Sequence, residues 1–298
     1  MTFYCIARKE NQKVLTLLQK ACDVKGINMR LYDQRTFTTL SGHDFPRAGD
    51  LLYRASADIW PNVGTRIIEQ HLSQEGVATF YSSWQGVFHH GLDYFLLYEK
   101  MGIPTPRTIP HLTAHRATLK EYVKLLGGFP IILKVLGRSK GKGVLKIDSY
   151  PALFSTLDYI LTLGVPVIMR EYVPTPEAVR VIVVGNQTVA AVQFTPGSDD
   201  FRSNIGSGRT VKSCSVTPLV TQLALQASRV RGVEFAGVDI LFRPDGAPVV
   251  AETNFPCQFA TTQQISGVDI AARMIEYLQQ KTTESLPMYE KRSHNIRV

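Results

Sequence analysis

Apolar and polar positions along this chain alternate with two periods, one of strand type and one of helix type, and the two exchange places repeatedly. Thr2–Ala7 is an apolar run of strand length, and Asn11–Lys25 then sets Val14, Leu15, Leu17, Leu18 and Cys22 at helical spacing. Asn28–Tyr32 and Asp50–Arg54 read as strands, Val63–Leu72 as a helix and Val77–Tyr81 as a further strand. Strands separated by helices predict a small parallel sheet covered on both faces. A helix over His90–Met101 follows, and Pro104, Pro106 and Pro110 then mark a domain junction. Beyond it the pattern predicts helix Ala117–Leu126, strands Pro130–Leu136 and Val144–Ile147, helix Tyr150–Leu163 and strand Pro166–Arg170. Strands Val179–Val184 and Thr188–Phe194 flank the turn Gly185-Asn186, and a polar loop, Thr195–Thr210, leads to helix Pro218–Val230. A hairpin and a last helix, Val268–Gln279, complete the pattern, and the residues after it read as a polar tail.

The hairpin carries the densest chemistry. Asp245-Gly246 between two apolar runs is a strong short-range hairpin signal, and a two-residue loop there pairs Pro244 with Ala247. Counting back, Asp239 falls opposite Glu252, with Asn254 on the same side of the sheet. The other face collects Ala236, Val238, Ile240, Phe242, Val249 and Ala251 and is expected to be core. Two opposed carboxylates on a half-buried sheet repel unless a cation lies between them. An Asp/Glu/Asn oxygen set suits a hard cation, and magnesium is the one expected. The plainer reading, a solvated polar face, is the common fate of antiparallel sheets, so the choice rests on the residues upstream.

Lys134 ends the apolar run Pro130-Ile-Ile-Leu-Lys134. Facing inward it would need an anion; facing outward it would be an ordinary edge lysine, and position alone does not decide. The loop Gly137-Arg-Ser-Lys-Gly141-Lys-Gly143 combines glycine and cations, which suits phosphate oxygens, although it is neither a Walker A loop nor GxGxxG. Glu171-Tyr172-Val173 precedes a break at Pro174 and Pro176, where free backbone groups could meet an adenine edge or merely link two domains. Arg180 and Arg202 offer forks for carboxylate or phosphate, against a background in which a lone arginine usually forms a surface ion pair.

Composition and charge narrow the class. The 298 residues are 44% hydrophobic and 19% charged, ordinary for a globular protein, and no apolar run approaches a membrane span. The N-terminal segment begins as a strand and turns charged, unlike a signal peptide. Cys5, Cys22, Cys214 and Cys257 lie far apart with no CxxC pair, so reduced thiols of a cytoplasmic protein are expected. A net charge of +8 favours polyanionic ligands such as nucleotides or acidic peptides. Nucleic acid is only weakly supported, because basic and aromatic residues are not interleaved.

Taken in order, Lys134, the glycine loop, Glu171-Tyr172, Arg180, Phe201-Arg-Ser-Asn204, Gly237-Val-Asp239 and Glu252-Thr-Asn254 resemble the ATP-grasp superfamily. Within it the chain resembles the RimK-type amino-acid ligases, which add glutamate or another amino acid to a carboxylate. Phe201–Asn204, Ala236-Gly-Val-Asp-Ile-Leu241 and Ser266-Gly-Val-Asp-Ile-Ala271 carry that finer likeness, which runs from about Val87 to Leu278. The resemblance implies an α/β (α+β) ATP-grasp fold with a nucleotide cleft between two subdomains. It divides the chain into a pre-ATP-grasp α/β domain over 1–86, a central subdomain with the phosphate loop over 87–170, a C-terminal subdomain with the magnesium site over 171–280, and a tail over 281–298.

By the same resemblance Lys134 reaches the nucleotide phosphates and Gly141, Lys142 and Gly143 close over them. Glu171, Tyr172 and Val173 hold adenine, and Arg202, Ser203 and Asn204 lie near the transferred phosphate. Arg180 shares that cleft, which makes Arg202, Arg180 and Asn204 the catalytic set. Asp239, Glu252 and Asn254 match the magnesium ligands, with two ions expected and Mn2+ as a substitute. Several positions depart from the family pattern. Gly91 stands where a phosphate-binding lysine is expected, Ala178 where a ribose-binding aspartate is expected with Glu177 as its replacement, and Phe255-Pro-Cys-Gln258 replaces a small-residue turn beside the acceptor site. His89 and His90 are the weakest of candidates for a base. The activity implied is ATP-dependent amide formation through an acyl phosphate, joining a glutamate-like amine to the carboxylate of an acidic peptide or small acid. The expected partners are those substrates and other copies of the chain, with no membrane. The alternatives are an ATP-binding regulator that has lost turnover, for which Gly91 speaks, and a kinase on the same scaffold.

Overall fold

A computed structural model describes residues 1–8, 11–33, 45–56, 63–83, 93–136, 141–198, 200–202 and 208–295. The N-terminal strands β1 (Thr2–Ala7), β2 (Asn28–Asp33) and β3 (Leu51–Arg54) form a parallel sheet in the order β2-β1-β3. Alternate residues serve opposite faces, as the pleat requires. Phe3, Cys5, Leu51 and Tyr53 join Val14, Leu15 and Leu18 of helix α1 (Gln12–Val24), while Tyr4, Ile6 and Leu52 pack with Leu72 of helix α2 (Val63–Gln74). The expected strand at Val77–Tyr81 is not one: Ala78 and Tyr81 make only isolated bridges, to Leu51 and Val233. The run is apolar because it is buried, and burial alone does not supply a partner strand.

Helix α3 (Asp93–Lys100) leads to a central unit. There β4 (Thr108–Ile109), β5 (Ile131–Val135), β6 (Val144–Ile147) and β7 (Val167–Glu171) form an antiparallel sheet ordered β4-β7-β5-β6. Helices α4 (Arg116–Leu125) and α5 (Tyr150–Thr162) cover one face, where Leu119, Val123, Leu153 and Leu157 meet Ile131, Leu133 and Ile147 in a core of their own. His115 caps α4 and Ser149 caps α5, each accepting from a backbone N–H of the first turn.

The third unit is a five-stranded antiparallel sheet, β10-β9-β8-β11-β12. It comprises β8 (Ala178–Val184), β9 (Gln187–Thr195), β10 (Thr210–Ser213), β11 (Phe235–Phe242) and β12 (Pro248–Asn254). Helices α6 (Pro218–Val230), α7 (Ala260–Ser266) and α8 (Ile270–Asn295) pack with it. One continuous apolar core joins this sheet to the N-terminal one: Phe3, Cys5 and Tyr53 share it with Val181, Phe235, Ile240, Met274 and Leu278. The helix expected to stop at Gln279 runs on to Asn295, so the segment read as a tail is largely helical. Just past Gln279, Lys281 anchors the helix: its ammonium binds the carbonyls of Thr79 and Tyr81 at 2.9 and 2.8 Å and the carboxylate of Glu234.

Candidate active site

The β11–β12 hairpin places Asp239 opposite Glu252 and Gly237 opposite Asn254, as the sequence predicts, but by a different route. The loop has three residues rather than two. Gly246 N–H donates to Arg243 O at 2.8 Å and Arg243 N–H to Ala247 O at 2.9 Å, with Gly246 at φ +83. That shifts the ladder by one, and a bulge between Asp239 and Ile240 shifts it back, leaving Ala251 as the extra residue. Val250, not Ala251, therefore faces the core with Ile240, and both are 0% exposed. The carbonyl of Ala251 accepts instead from Arg170 Nη1 at 3.0 Å.

Each carboxylate of the corner meets a cation from a neighbouring strand. Arg180 lies opposite Asp239 on β8 and grips both its oxygens, with Nε and Nη2 each at 2.7 Å. Burial pulls the Arg180 pKa down, and the adjacent Asp239 charge more than offsets it, so the guanidinium is held above its usual value. Lys134 reaches across from the central sheet and binds Glu252 Oε1 at 2.9 Å, which settles its direction: it faces the cleft. Burial raises the Glu252 carboxyl, but Lys134, with Arg231 and Arg170 behind it, brings it below the usual carboxylate range. Asn254 Nδ2 lies 3.2 Å from Asp239 Oδ2. Among the described residues no three His, Cys, Asp or Glu side chains cluster, so a cation here would rest on two carboxylates and one amide. Those groups are in contact or directly opposed and carry only oxygen as ligand atoms, which fits magnesium.

Of the glycine loop, Gly141–Gly143 are described and Gly137–Lys140 lie outside the described residues. Val135 N–H donates to Gly143 O at 2.8 Å, Val144 N–H to Gly141 O at 3.3 Å, and Gly141 and Gly143 sit at φ +67 and +79. Lys142 between them is exposed. Arg202 holds Asp200 through Nε (2.9 Å) and Nη2 (2.7 Å), while its Nη1 donates to Gly141 O at 2.8 Å, so the polar loop is tied to the glycine loop. Ser203 and Asn204 lie outside the described residues, as do Gly91, His89 and His90.

Glu171 ends β7, and its carboxylate is fully engaged. Arg243 Nη1 and Nη2 approach at 2.5 and 3.2 Å, and Arg107 Nε at 3.1 Å. Burial alone would raise this acid; the two arginines overcome that and bring it down to about 2. Tyr172 follows, half-buried, with Lys146 over its ring and Phe201 against its edge, and Val173 is buried. Glu177 accepts from Gln193, and Ala178 beside it is buried on β8.

Arginines that the sequence did not mark hold this region together. Arg170 is 6% exposed, bonds Thr108 Oγ1 at 3.0 Å and lies 4.1 Å from the Phe95 ring centroid, so it ties the central sheet to β12. Its only sequence signal was a charge at the end of an apolar strand; Arg107 and Arg243 had none. Beyond the hairpin, Phe255 is packed by Tyr81 (centroids 5.0 Å) and Tyr53 (6.5 Å) of the N-terminal unit. Cys257 turns the other way, against Gly237: a Cβ on that glycine would meet Cys257 Cβ at 3.0 Å and Arg180 Cδ at 3.4 Å. Burial pushes the Cys257 thiol up to about 12, and the four cysteines are free.

A cleft between two α+β units, with a lysine from one meeting a carboxylate hairpin from the other, is the arrangement of an ATP-grasp protein. The RimK-like ATP-grasp domain matches residues 93–278, more than half of the chain, and the chain belongs to that family. Ribosomal protein bS6–L-glutamate ligases of Salmonella paratyphi B and Salmonella newport are 32% identical to it over 190 residues, 63% of this chain and 62% of theirs. The match thus spans less than two thirds of those relatives.

Among solved structures, the ATP-grasp ligase PsnB complexed with minimal precursor, Mg and ADP has a TM-score of 0.69 at 18% identity, covering 94% of this chain and 97% of that one. D-cycloserine synthetase DcsG gives 0.70 at 15%, covering 94% and 99%. Macrocyclase MdnC of Microcystis aeruginosa MRC, bound with precursor peptide MdnA, gives 0.66 at 14%, covering 93% and 99%. At these identities the likeness is one of fold, and it extends over the N-terminal sheet. Among the described residues no helix is long and apolar enough to cross a membrane.

Proposed function

We propose that the chain is an ATP-dependent carboxylate–amine ligase that forms an amide through an acyl phosphate. The observation that carries this reading is the Lys134–Glu252 contact at 2.9 Å, which brings a cation of the central sheet onto a hairpin face holding Asp239 and Asn254. Family membership supports ATP as the co-substrate and magnesium as its ion. Bound by Asp239, Glu252 and Asn254, magnesium would neutralise phosphate charge during transfer.

The chain's own groups do the rest. Lys134 and the backbone of Gly141–Gly143 hold the phosphates, Lys142 adds charge from the loop, and Tyr172 and Val173 border the base through their backbone, since the Glu171 side chain is committed to two arginines. Glu177 lies on the ribose side, and Arg202, with Ser203 and Asn204 next to it, lies by the transferred phosphate. The γ-phosphoryl group passes to an oxygen of the acceptor carboxylate and ADP leaves. The amine then attacks the acyl carbon, the C–O bond to phosphate breaks, and the amine gives up a proton as the amide forms. Arg202 and Arg180 oppose the negative charge that builds on the phosphate and on the tetrahedral oxygen.

The named relatives are glutamate ligases of a ribosomal protein, and two of the fold neighbours are bound to a minimal precursor and to a precursor peptide. With the net charge of +8, these favour an acidic peptide carboxylate as acceptor and glutamate as amine, in a cytoplasmic setting where ATP is available. The three units over 1–86, 87–170 and 171–280 serve as pre-ATP-grasp domain, phosphate-loop subdomain and magnesium-site subdomain.

The test is ADP release from ATP with amino acids paired against acidic peptides, followed by mass analysis of the product. ADP that appears only when both partners are present, with a product heavier by one aminoacyl residue, is expected. ADP release indifferent to the amine, or phosphate retained on the product, refutes the proposal.

A further inference from the structure

The cleft face of the central sheet carries a second cation. In the β5–β6 ladder Lys134 lies opposite Val144 and Ile132 opposite Lys146. Residues two apart share a face, so Lys146 points to the same side as Lys134, on a diagonal whose Cβ atoms are about 7–8 Å apart. The alternate residues confirm the direction, since Leu145 and Ile147 pack into the core beneath α4 and α5. The Lys146 ammonium sits 4.4 Å from the centroid of the Tyr172 ring. That ring meets Phe201 edge-on at 6.4 Å, and Arg202 beside it donates to the glycine-loop carbonyl of Gly141 at 2.8 Å. Lys146 is exposed, and among the described residues it makes no ion pair with a carboxylate.

These contacts place a charged group where two requirements meet. A polyphosphate lying along the cleft, with one end at Lys134 and Glu252 and its base at Tyr172, passes over the diagonal between the two lysines. A lysine side chain is long enough to span much of that diagonal, and a cation resting on an aromatic face keeps its charge available to an anion. By the family resemblance, Gly91 stands where a phosphate-binding lysine is expected.

We propose that Lys146 is a nucleotide-binding residue that supplies the phosphate contact missing at Gly91, with Tyr172 as the platform that aims it. Lys134 serves the phosphates beside the metal corner and Lys146 the phosphate nearer the base. The inference rests on the ligase reading, so the wild-type protein is the first arm of the test.

The experiment is calorimetric titration of wild type, Lys146→Met and Lys146→Arg with Mg–ADP, together with adenosine measured by competition. Lys146 is exposed, so neither substitution disturbs packing. Lys146→Met is expected to raise the Kd for ADP about tenfold, with Lys146→Arg close to wild type and adenosine unaffected. An unchanged ADP Kd in Lys146→Met overturns the proposal. Equal losses for ADP and adenosine also overturn it, because they place the lysine on the base rather than on a phosphate. Failure of the wild type to bind ADP overturns the ligase reading and this inference together, and is recognised before any variant is made.

Discussion

Glu171→Gln removes one negative charge from a point where three segments meet. Arg243 comes from the hairpin of the five-stranded sheet, Arg107 from the strand-edge segment before β4, and Glu171 from the end of β7. The carboxyl stands at about 2 in the folded protein against an ordinary 4.5. A depressed acid contributes stability that is fully present above its unfolded value and is lost as pH falls through its folded value. The window here therefore runs from about pH 4.5 down to about pH 2. The side chain of Glu171 is 9% exposed, but Arg243 and Arg107 are 32% and 53% exposed, so solvent screens part of the interaction. Discounted for that, the contribution is roughly 2 kcal/mol at neutral pH. Urea unfolding of wild type and Glu171→Gln at several pH values reads it directly. The two midpoints should differ at pH 7 and converge toward pH 2.5, as the wild-type carboxylate takes up its proton. A difference that stays constant across that range would refute the assignment of Glu171 as a charged tie between the units.

Other outcomes follow from the same contacts. Glu252→Ala should lower ADP formation by roughly two orders of magnitude while far-UV circular dichroism stays unchanged, because a half-buried cleft residue is lost rather than a core one; wild-type-like turnover in the folded variant contradicts the metal corner. Arg54→Met strands Glu69, since Arg54 Nε bonds Glu69 Oε2 at 2.8 Å with the two side chains only 1% and 2% exposed. It should cost about 3–5 kcal/mol in denaturant unfolding, and Arg54→Met with Glu69→Met should recover most of that. Gly237→Ala pushes a methyl group toward Cys257 Cβ and Arg180 Cδ, and a loss of about 1–2 kcal/mol is expected, smaller when the substitution is made in a Cys257→Gly background that lacks the Cβ; an equal loss in both backgrounds would place the strain elsewhere.

Much of the architecture was legible because it is local. The strands β1, β6 and β8 and the helices α1, α5 and α6 announce themselves by period. The Asp239–Glu252 register was also readable, but only because a three-residue turn and a bulge at Ala251 cancel. The sequence offers a count of residues, and the count happened to be conserved. What was not legible depends on the approach of distant segments. Lys134 could face either way until β12 was brought against the central sheet, and Arg180 looked like a lone arginine until β8 paired with β11. Arg170 and Arg243 act through backbone and side-chain partners more than 70 positions away in sequence, which no local pattern records. The extension of α8 past Gln279 is likewise tertiary: beyond the apolar stripe of Ile270, Met274 and Leu278, Lys281 ties the helix to the carbonyls of Thr79 and Tyr81.

The shared interior of the first and third units has a mechanical consequence. Turning the N-terminal sheet against the five-stranded sheet would expose apolar surface from Phe3 to Leu278, at a cost of about 25 cal/mol for every Å² uncovered. The central sheet has its own interior beneath α4 and α5; it reaches the shared core through Ile168 and Leu136, and its other ties to its neighbours are polar, Lys134–Glu252, Arg243–Glu171 and Arg170–Ala251 among them. Water can replace such links one at a time. The chain is therefore stiff along one seam and compliant along the other, and the compliant seam is the one that borders the cleft.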